Sequence, residues 1–433
     1  MSSRRLFLLV ILIGIRGIGF SQVGHPADSL KSDSLKHPTP RLRENTAGQY
    51  DFGDLSHFIL HRNKPINPDH NKSGITVVPN VAANPTIGAQ AGIKAVAGKK
   101  LGNDPNTLFS VGATSASITT KDIIYFYINH NIFTPGNKYN FQGNLVVSKT
   151  VSPDYGYGIG KPFKGGTTAD SILADPTHKV HAIHSIYFNF REKVYKKVAE
   201  NLFLGAGLSF EVRRQIDNGD SAGTTTPYGV YTSRHDLSLT GYSMNGFLFN
   251  VEYITRDNPN RAYKGFYFDG GIRINQTWIG SSKNAVQLSS DIRKYFSLSS
   301  ATPQFVLAFW NWGSYLVSGT IPYLELAGPA RDGTFRSGRG YTTQYFRSTM
   351  FNDTEGELRF PIMTNQFLSG VVFGELMSGN DAMGTKLFQQ FQPGYGAGLR
   401  VLFNKATRTN LALDYAFGRF GNKGFFLNLN EAF

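Results

Sequence analysis

The chain has 433 residues, a formal charge of +14 at pH 7 and no cysteine. That length allows one large architecture or two to three ordinary domains, and the missing thiols exclude disulfides, thiolate metal sites and lipid attachment at a lipobox cysteine. Only 17% of residues are charged, whereas glycine (47), phenylalanine (34) and tyrosine (21) are abundant, so strands and tight turns are favoured over long helices. The charge excess points to polyanions, either nucleic acid or phosphorylated lipid at a membrane surface.

The first residues choose between these. MSSRRLFLLVILIGIRGIGFSQ places Arg4 and Arg5 before an apolar run from Leu6 to Ile15, then small residues. This is the pattern of a secretory signal over 1–21, cut before Gln22. A chain that leaves the cytoplasm has no nucleic-acid partner. Residues 22–72 are polar and proline-containing and read as a periplasmic leader. Within it, DFGDLSHFILHRN sets Phe52, Leu55, Phe58 and Ile59 at helical spacing, predicting a short amphipathic helix near 51–62. Two readings of that helix stand: it sits at or partly plugs a barrel mouth, or it frays in solution.

From residue 73 onward no apolar run approaches the roughly 20 residues of a spanning helix. Period-two alternation replaces it. In KGFYFDGGIRINQTWIG, Phe266, Phe268, Ile272, Ile274 and Trp278 oppose Tyr267, Asp269, Arg273 and Asn275. Ser185, Tyr187, Asn189 and Arg191 oppose His184, Ile186, Phe188 and Phe190; Leu411, Leu413, Tyr415 and Phe417 oppose Ala412, Asp414 and Ala416. A soluble sandwich alternates too, but its strands usually run about 5–6 residues. Strands long enough to cross hydrocarbon, with Arg, Asp and Asn on one face, suit a wet lumen.

The expected fold is therefore all-β, a transmembrane antiparallel β-barrel over 73–433. Sixteen strands are predicted near 73–81, 85–97, 107–118, 121–133, 139–150, 181–192, 201–214, 240–255, 264–280, 284–297, 304–318, 354–362, 367–378, 394–404, 409–418 and 424–433. The long connections 151–180, 215–239, 319–353 and 379–393 then fall at one end, and short turns such as TPGNKY, SSATPQ and NKATRT at the other.

Several stretches carry a resemblance. TRDNPNRAYKGFYFDGGIR has Asp257, Asn258, Pro259 and Gly265 in order. WNWGSYLVSGTIPYLELAGPARDGTFRSGRGY ends on Arg339, Gly340 and Tyr341. GELRFPI, GYGAGLRVLFN, NLALDYAFG and GFFLNLNEAF follow. In these the chain resembles the BamA, TamA and two-partner-secretion translocator superfamily, the bacterial surface antigens, over nearly all of 73–433. The resemblance implies an outer-membrane barrel of a Gram-negative bacterium, of a short form lacking the periplasmic modules of BamA-like relatives. It also implies that the loop 319–353 folds into the lumen, its tip Arg339 pairing with an acidic residue on an inner-facing strand. Phe373-Gly374-Glu375-Leu376-Met377 looks like that strand, with glutamate for aspartate and methionine for glycine. Glu375 is thus the implied partner. Two roles for Arg339 stand: bracing the loop, or a direct part in translocation.

Family function rests on a weak seam between first and last strands. SGITVVPNV is short, and Pro79 lacks a ladder donor, so it pairs imperfectly with a last strand ending at Phe433. Alternatively the proline only ends the strand early. The functional expectation is insertion of outer-membrane proteins or polypeptide translocation. A channel or a scaffold subunit of an outer-membrane complex is the alternative. Expected partners are outer-membrane lipid and lipopolysaccharide, with nascent outer-membrane proteins or a separate periplasmic protein. No cofactor or metal is expected. Nor is catalysis: the chain has no G-x-S-x-G or H-E-x-x-H, GYGIGKP lacks phosphate-loop spacing, and His178, His181 and His184 do not share one strand face.

Overall fold

In a computed structural model, residues 48–60, 75–80, 82–84, 88–159, 168–174 and 180–433 are described. The signal segment and most of the leader lie outside them, as does His178. Among the described residues no helix is long and apolar enough to cross a membrane.

The strands are β1 (Ile75–Pro79), β2 (Ala82–Asn84), β3 (Gly88–Lys100), β4 (Phe109–Thr119), β5 (Ile124–Phe133), β6 (Tyr139–Asp154), β7 (His181–Ala199), β8 (Leu202–Asp217) and β9 (Gly241–Ile254). They continue as β10 (Gly265–Asn275), β11 (Ala285–Ser297), β12 (Val306–Gly319), β13 (Met350–Pro361), β14 (Leu368–Gly379), β15 (Gln392–Asn404), β16 (Thr409–Gly418) and β17 (Lys423–Leu429). β1 and β2 are one strand position: Pro79 faces Ile93 and Ala82 faces Gln90, so register is kept across the break. The sheet is therefore an all-antiparallel succession of sixteen positions, each paired with its sequence neighbours, and every predicted strand has a counterpart.

Side chains follow the pleat. Phe188, Phe190, Phe249, Val251, Leu376, Leu399, Tyr415 and Phe417 are exposed on the outside, while Arg191, Arg213, Arg273, Arg359 and Arg400 turn inward. An outward apolar band over a charged interior is the pattern of a lipid-facing barrel. The ladder stops at the ends: β17 pairs with β16, and no ladder joins it to β1 or β2 among the described residues. Side chains bridge the gap, since Val78 and Leu429 bury in one cluster with Val96.

The long connections at one end pack on each other. Helix α2 (Ala169–Leu173), helix α3 (Pro227–Arg234) and the 3₁₀ turn Tyr323–Glu325 bury Leu173, Tyr228, Tyr231, Tyr323 and Leu324 together. Thr168 and Thr226 cap the two helices through their hydroxyls, which accept from Ser171 N and Gly229 N.

Helix α1 (Phe52–Leu60) docks on the rim of the short-turn end, at the barrel mouth. It neither enters the lumen nor stands free, but packs against the outside of the short-turn end. Asp51 and Asp54 cap its first turn reciprocally, each carboxylate accepting the other's N–H at 2.9–3.0 Å. The same carboxylates accept from Lys405, Asp51 from its N–H at 3.0 Å and Asp54 from its ammonium at 2.7 Å. Phe52 stacks on outward-facing Phe403 at 4.8 Å, and Tyr50 meets Phe367 edge-on at 5.8 Å. Apolar pairing with the rim outcompetes the lumen because the lumen is charged. Lys405→Ala is expected to speed amide exchange over 51–59 by roughly tenfold while barrel exchange stays unchanged. Unaltered helix protection would show that the docking does not depend on this ion pair.

Candidate functional site

The interior is organised by the loop between β12 and β13, which descends into the lumen. Its tip is built locally. Asp332 accepts from the N–H groups of Thr334, Arg336 and Ser337 at 2.8–2.9 Å, and Asp353 on β13 accepts from Gly338 N at 2.9 Å. Gly340 has φ +102°, and a Cβ there would lie 2.8 Å from the Phe417 carbonyl oxygen, so glycine is required by conformation and by space. Tyr341 donates to the Pro393 carbonyl at 2.6 Å, accepts from Arg419 N at 2.9 Å and stacks among Tyr345 and Phe346. The tip is thus pinned against β15 and β16.

Arg339 is buried, and its partners differ from the one the resemblance implied. The guanidinium donates to Glu355, to Glu357 Oε1 at 2.8 Å and to Asp414 Oδ2 at 3.0 Å. Glu375 is not a partner of the guanidinium. It faces the lumen beside the Arg339 backbone, and its carboxylate takes no hydrogen bond from the guanidinium. The reason is geometric. The guanidinium lies over the Phe373 ring, 3.6 Å from its centroid, and this stacking aims its fork across the sheet at β13 and β16. Met377, where the family has glycine, packs into the lumen's aromatic cluster with Trp312, Tyr341 and Phe351.

The lattice continues. Arg359 donates to Glu357 Oε2 at 2.6 Å and to the Phe433 carbonyl at 2.9 Å. Arg400 bridges Asp414 at 2.5 Å and Glu431 at 2.6 Å, and Arg261 lies 3.4 Å from Glu431. Four arginines (261, 339, 359, 400) thus meet four carboxylates (355, 357, 414, 431), all buried. Burial alone would lower the Arg339 pKa, but Glu355, Glu357 and Asp414 outweigh it and raise it, so the tip stays charged.

Phe433 is a second correction. The last strand ends at Leu429, Asn430 takes φ +68°, and the chain turns into the lumen. Phe433 packs on Trp310 at 5.3 Å and Tyr295 at 6.2 Å, on the far wall rather than at the seam. The cause is Glu431, drawn inward by Arg400 and Arg261. Pro79 does lie at the first edge, where β1 pauses and resumes as β2.

The turn motif closes the short-turn end. Asp257 accepts from Tyr263 N and from Arg408 at 2.7 Å, and Asn258 accepts from Asn260 N and Arg261 N. Gly265, at φ +110°, passes so close to Thr255 that a Cβ would lie 2.3 Å from its carbonyl oxygen. Pro259 follows Asn258 in this turn and lines the lumen. The turn delivers Arg261 to the lattice, and Asn260 holds the tail: it receives Glu431 N at 3.2 Å and Asn430 Nδ2 at 3.0 Å. Sequence reading missed Glu355, Glu357, Arg359, Arg400, Asp414 and Glu431 as site residues. For Glu355, Glu357 and Arg359 a signal was present in charges spaced by two along β13; Arg400, Asp414 and Glu431 stand alone in their segments. No group of three His or carboxylate residues among the described residues has metal-binding geometry.

These features define a class: a transmembrane β-barrel whose lumen holds an arginine-tipped loop and whose first and last strands share no ladder among the described residues. No protein-family model and no curated protein matches the sequence. Among solved structures the chain is similar to BamA from Haemophilus ducreyi lacking POTRA domains 1-3, at 11% identity and TM-score 0.52, over 83% of this chain and 70% of that one. It is also similar to CdiB from Escherichia coli, at 8% identity and TM-score 0.51, over 84% of this chain and 63% of that one. The chain therefore spans less than two thirds of CdiB, and at these identities what is shared is the fold.

Arg339→Ala is expected to cost about 3–5 kcal/mol by stranding buried carboxylates, and Glu375→Gln close to nothing. The readout is the temperature at which SDS unfolds the purified barrel, with Arg339→Lys as an intermediate case. Equal losses for Arg339→Ala and Glu375→Gln would return Glu375 to the role of partner.

Proposed function

We propose that the chain is an outer-membrane barrel that inserts or translocates polypeptides, using the seam between β1 and β17. One observation carries this reading: among the described residues the two terminal strands share a buried cluster through Val78 and Leu429, with no ladder between them. An edge strand with unpaired backbone groups templates an incoming strand, and addition of a client strand by β-augmentation follows from that. The early end at Leu429 shortens the edge that closure would require, and Pro79 lacks an N–H to offer.

The fold likeness to BamA and CdiB supports the reading. It also supports placement in the outer membrane of a Gram-negative bacterium, with the short-turn end and α1 on the periplasmic side. Lipid contacts the exposed aromatic band, and lipopolysaccharide meets the long-loop end. Clients are nascent outer-membrane proteins or a secreted polypeptide, delivered by a separate periplasmic partner. No catalytic step is assigned.

Because the chain has no native cysteine, a Val78→Cys, Leu429→Cys pair locks the seam under oxidation and releases it with reductant. The expected result is reductant-reversible loss of growth or depletion of other outer-membrane proteins. A locked protein that sustains normal growth and normal outer-membrane content would remove lateral opening from the mechanism and favour a channel or scaffold.

A further inference from the structure

The loop does not fill the barrel. Beside it, against the inner faces of β3 to β11, lies a cavity of about 1440 Å³. Its wall is chemically unlike the balanced lattice on the β13–β16 side. Ten lysines and arginines line it against five carboxylates, so basic side chains predominate. Part of that charge is neutralised in place: Lys193 pairs with Asp269 at 2.8 Å, and Arg213 with Glu325 at 2.6 Å. Other cations are left over. Lys94 on β3 has no hydrogen bond or ion pair among the described residues. Arg256 lays its guanidinium over the Tyr267 ring, 4.1 Å from the centroid, and forms no side-chain hydrogen bond or salt bridge among the described residues. Arg336 donates to two main-chain carbonyls, Leu429 O at 2.7 Å and Glu431 O, and forms no side-chain salt bridge among the described residues.

The geometry points to an anion site. We propose that this cavity accepts solutes bearing carboxylate or phosphate groups, with Lys94, Arg256 and Arg336 as the receiving charges. Low-dielectric walls focus the field of such an excess and concentrate counter-ions inside it. The hydroxyls and amides that also line the cavity, among them Tyr127 and Asn129, supply donors without adding negative charge. Every residue from Phe420 to Asn428 lines the same cavity, so it extends to the edge of β17. The inference stands whether or not the seam opens, because it concerns the field inside the lumen.

The test uses thiol chemistry in the full-length protein. Asn129→Cys places one thiol on the cavity wall and Ser300→Cys one on an exposed turn. Each is reacted with an anionic methanethiosulfonate (ethylsulfonate) and a cationic one (ethyltrimethylammonium). The expected result is an anionic-to-cationic rate ratio at Asn129→Cys roughly tenfold above that at Ser300→Cys. Adding Lys94→Gln with Arg256→Gln collapses the excess, while Lys94→Arg preserves it. Protection by inorganic phosphate or by acetate at matched ionic strength identifies the preferred group. A ratio at or below the Ser300→Cys value overturns the proposal. So do a ratio insensitive to the double substitution, protection by neither anion, and no reaction with either reagent at a thiol inside a folded barrel.

Discussion

The structure depends on one arrangement: four arginines and four carboxylates buried together between the descending loop and the β13–β16 wall. None of these charges is cheap to bury alone, since an ion moved out of water loses several kcal/mol of solvation after relaxation. Each is therefore tolerable only while its neighbours are present. Arg339 comes from the loop, Arg261 from a turn at the short-turn end, Glu431 from the tail, and the rest from three strands. Segments far apart in sequence are held in one position because none can leave without stranding a charge.

The seam follows from the same arrangement. Glu431 lies two residues past the end of β17, and its carboxylate is claimed by Arg400 and Arg261. To reach them the chain reverses at Asn430, a residue type that tolerates the left-handed region better than most. Residues that would have extended the last strand are thus spent inside. The first strand position keeps its register on β3 past Pro79. The outer hydrogen-bonding edge is short because the inner electrostatics require it.

Alternation made the strands legible, and it did so for a physical reason: lipid on one face and charge on the other leave no freedom in which residues point where. It was less informative about partners. The row Asp353, Glu355, Glu357, Arg359 repeats every second residue on β13 and could have been read as an inward line of charge. Which arginine would cross the lumen to meet it depends on loop geometry that no spacing encodes. The resemblance pointed Arg339 to Glu375, two residues beyond Phe373 on the same face, whereas the ring itself redirects the guanidinium. The tail failed for a related reason, since GFFLNLNEAF continues to look like a strand and nothing local marks the reversal at Asn430. Helix α1 was legible as a helix from its spacing, but its seat on the rim required Lys405, Phe403 and Phe367, which are more than 300 residues away.

Loop and seam are physically joined in this barrel. Here Arg336 makes them one unit. It sits three residues before Arg339 on the same loop and grips the carbonyls of Leu429 and Glu431. Arg359, which shares Glu357 with Arg339, grips the carbonyl of Phe433. A loop that leaves the lumen must release these carbonyls together with the carboxylates. A loop that stays docked holds the tail in. The docked loop and the ladderless seam are therefore two views of the same state, set by the same buried charges.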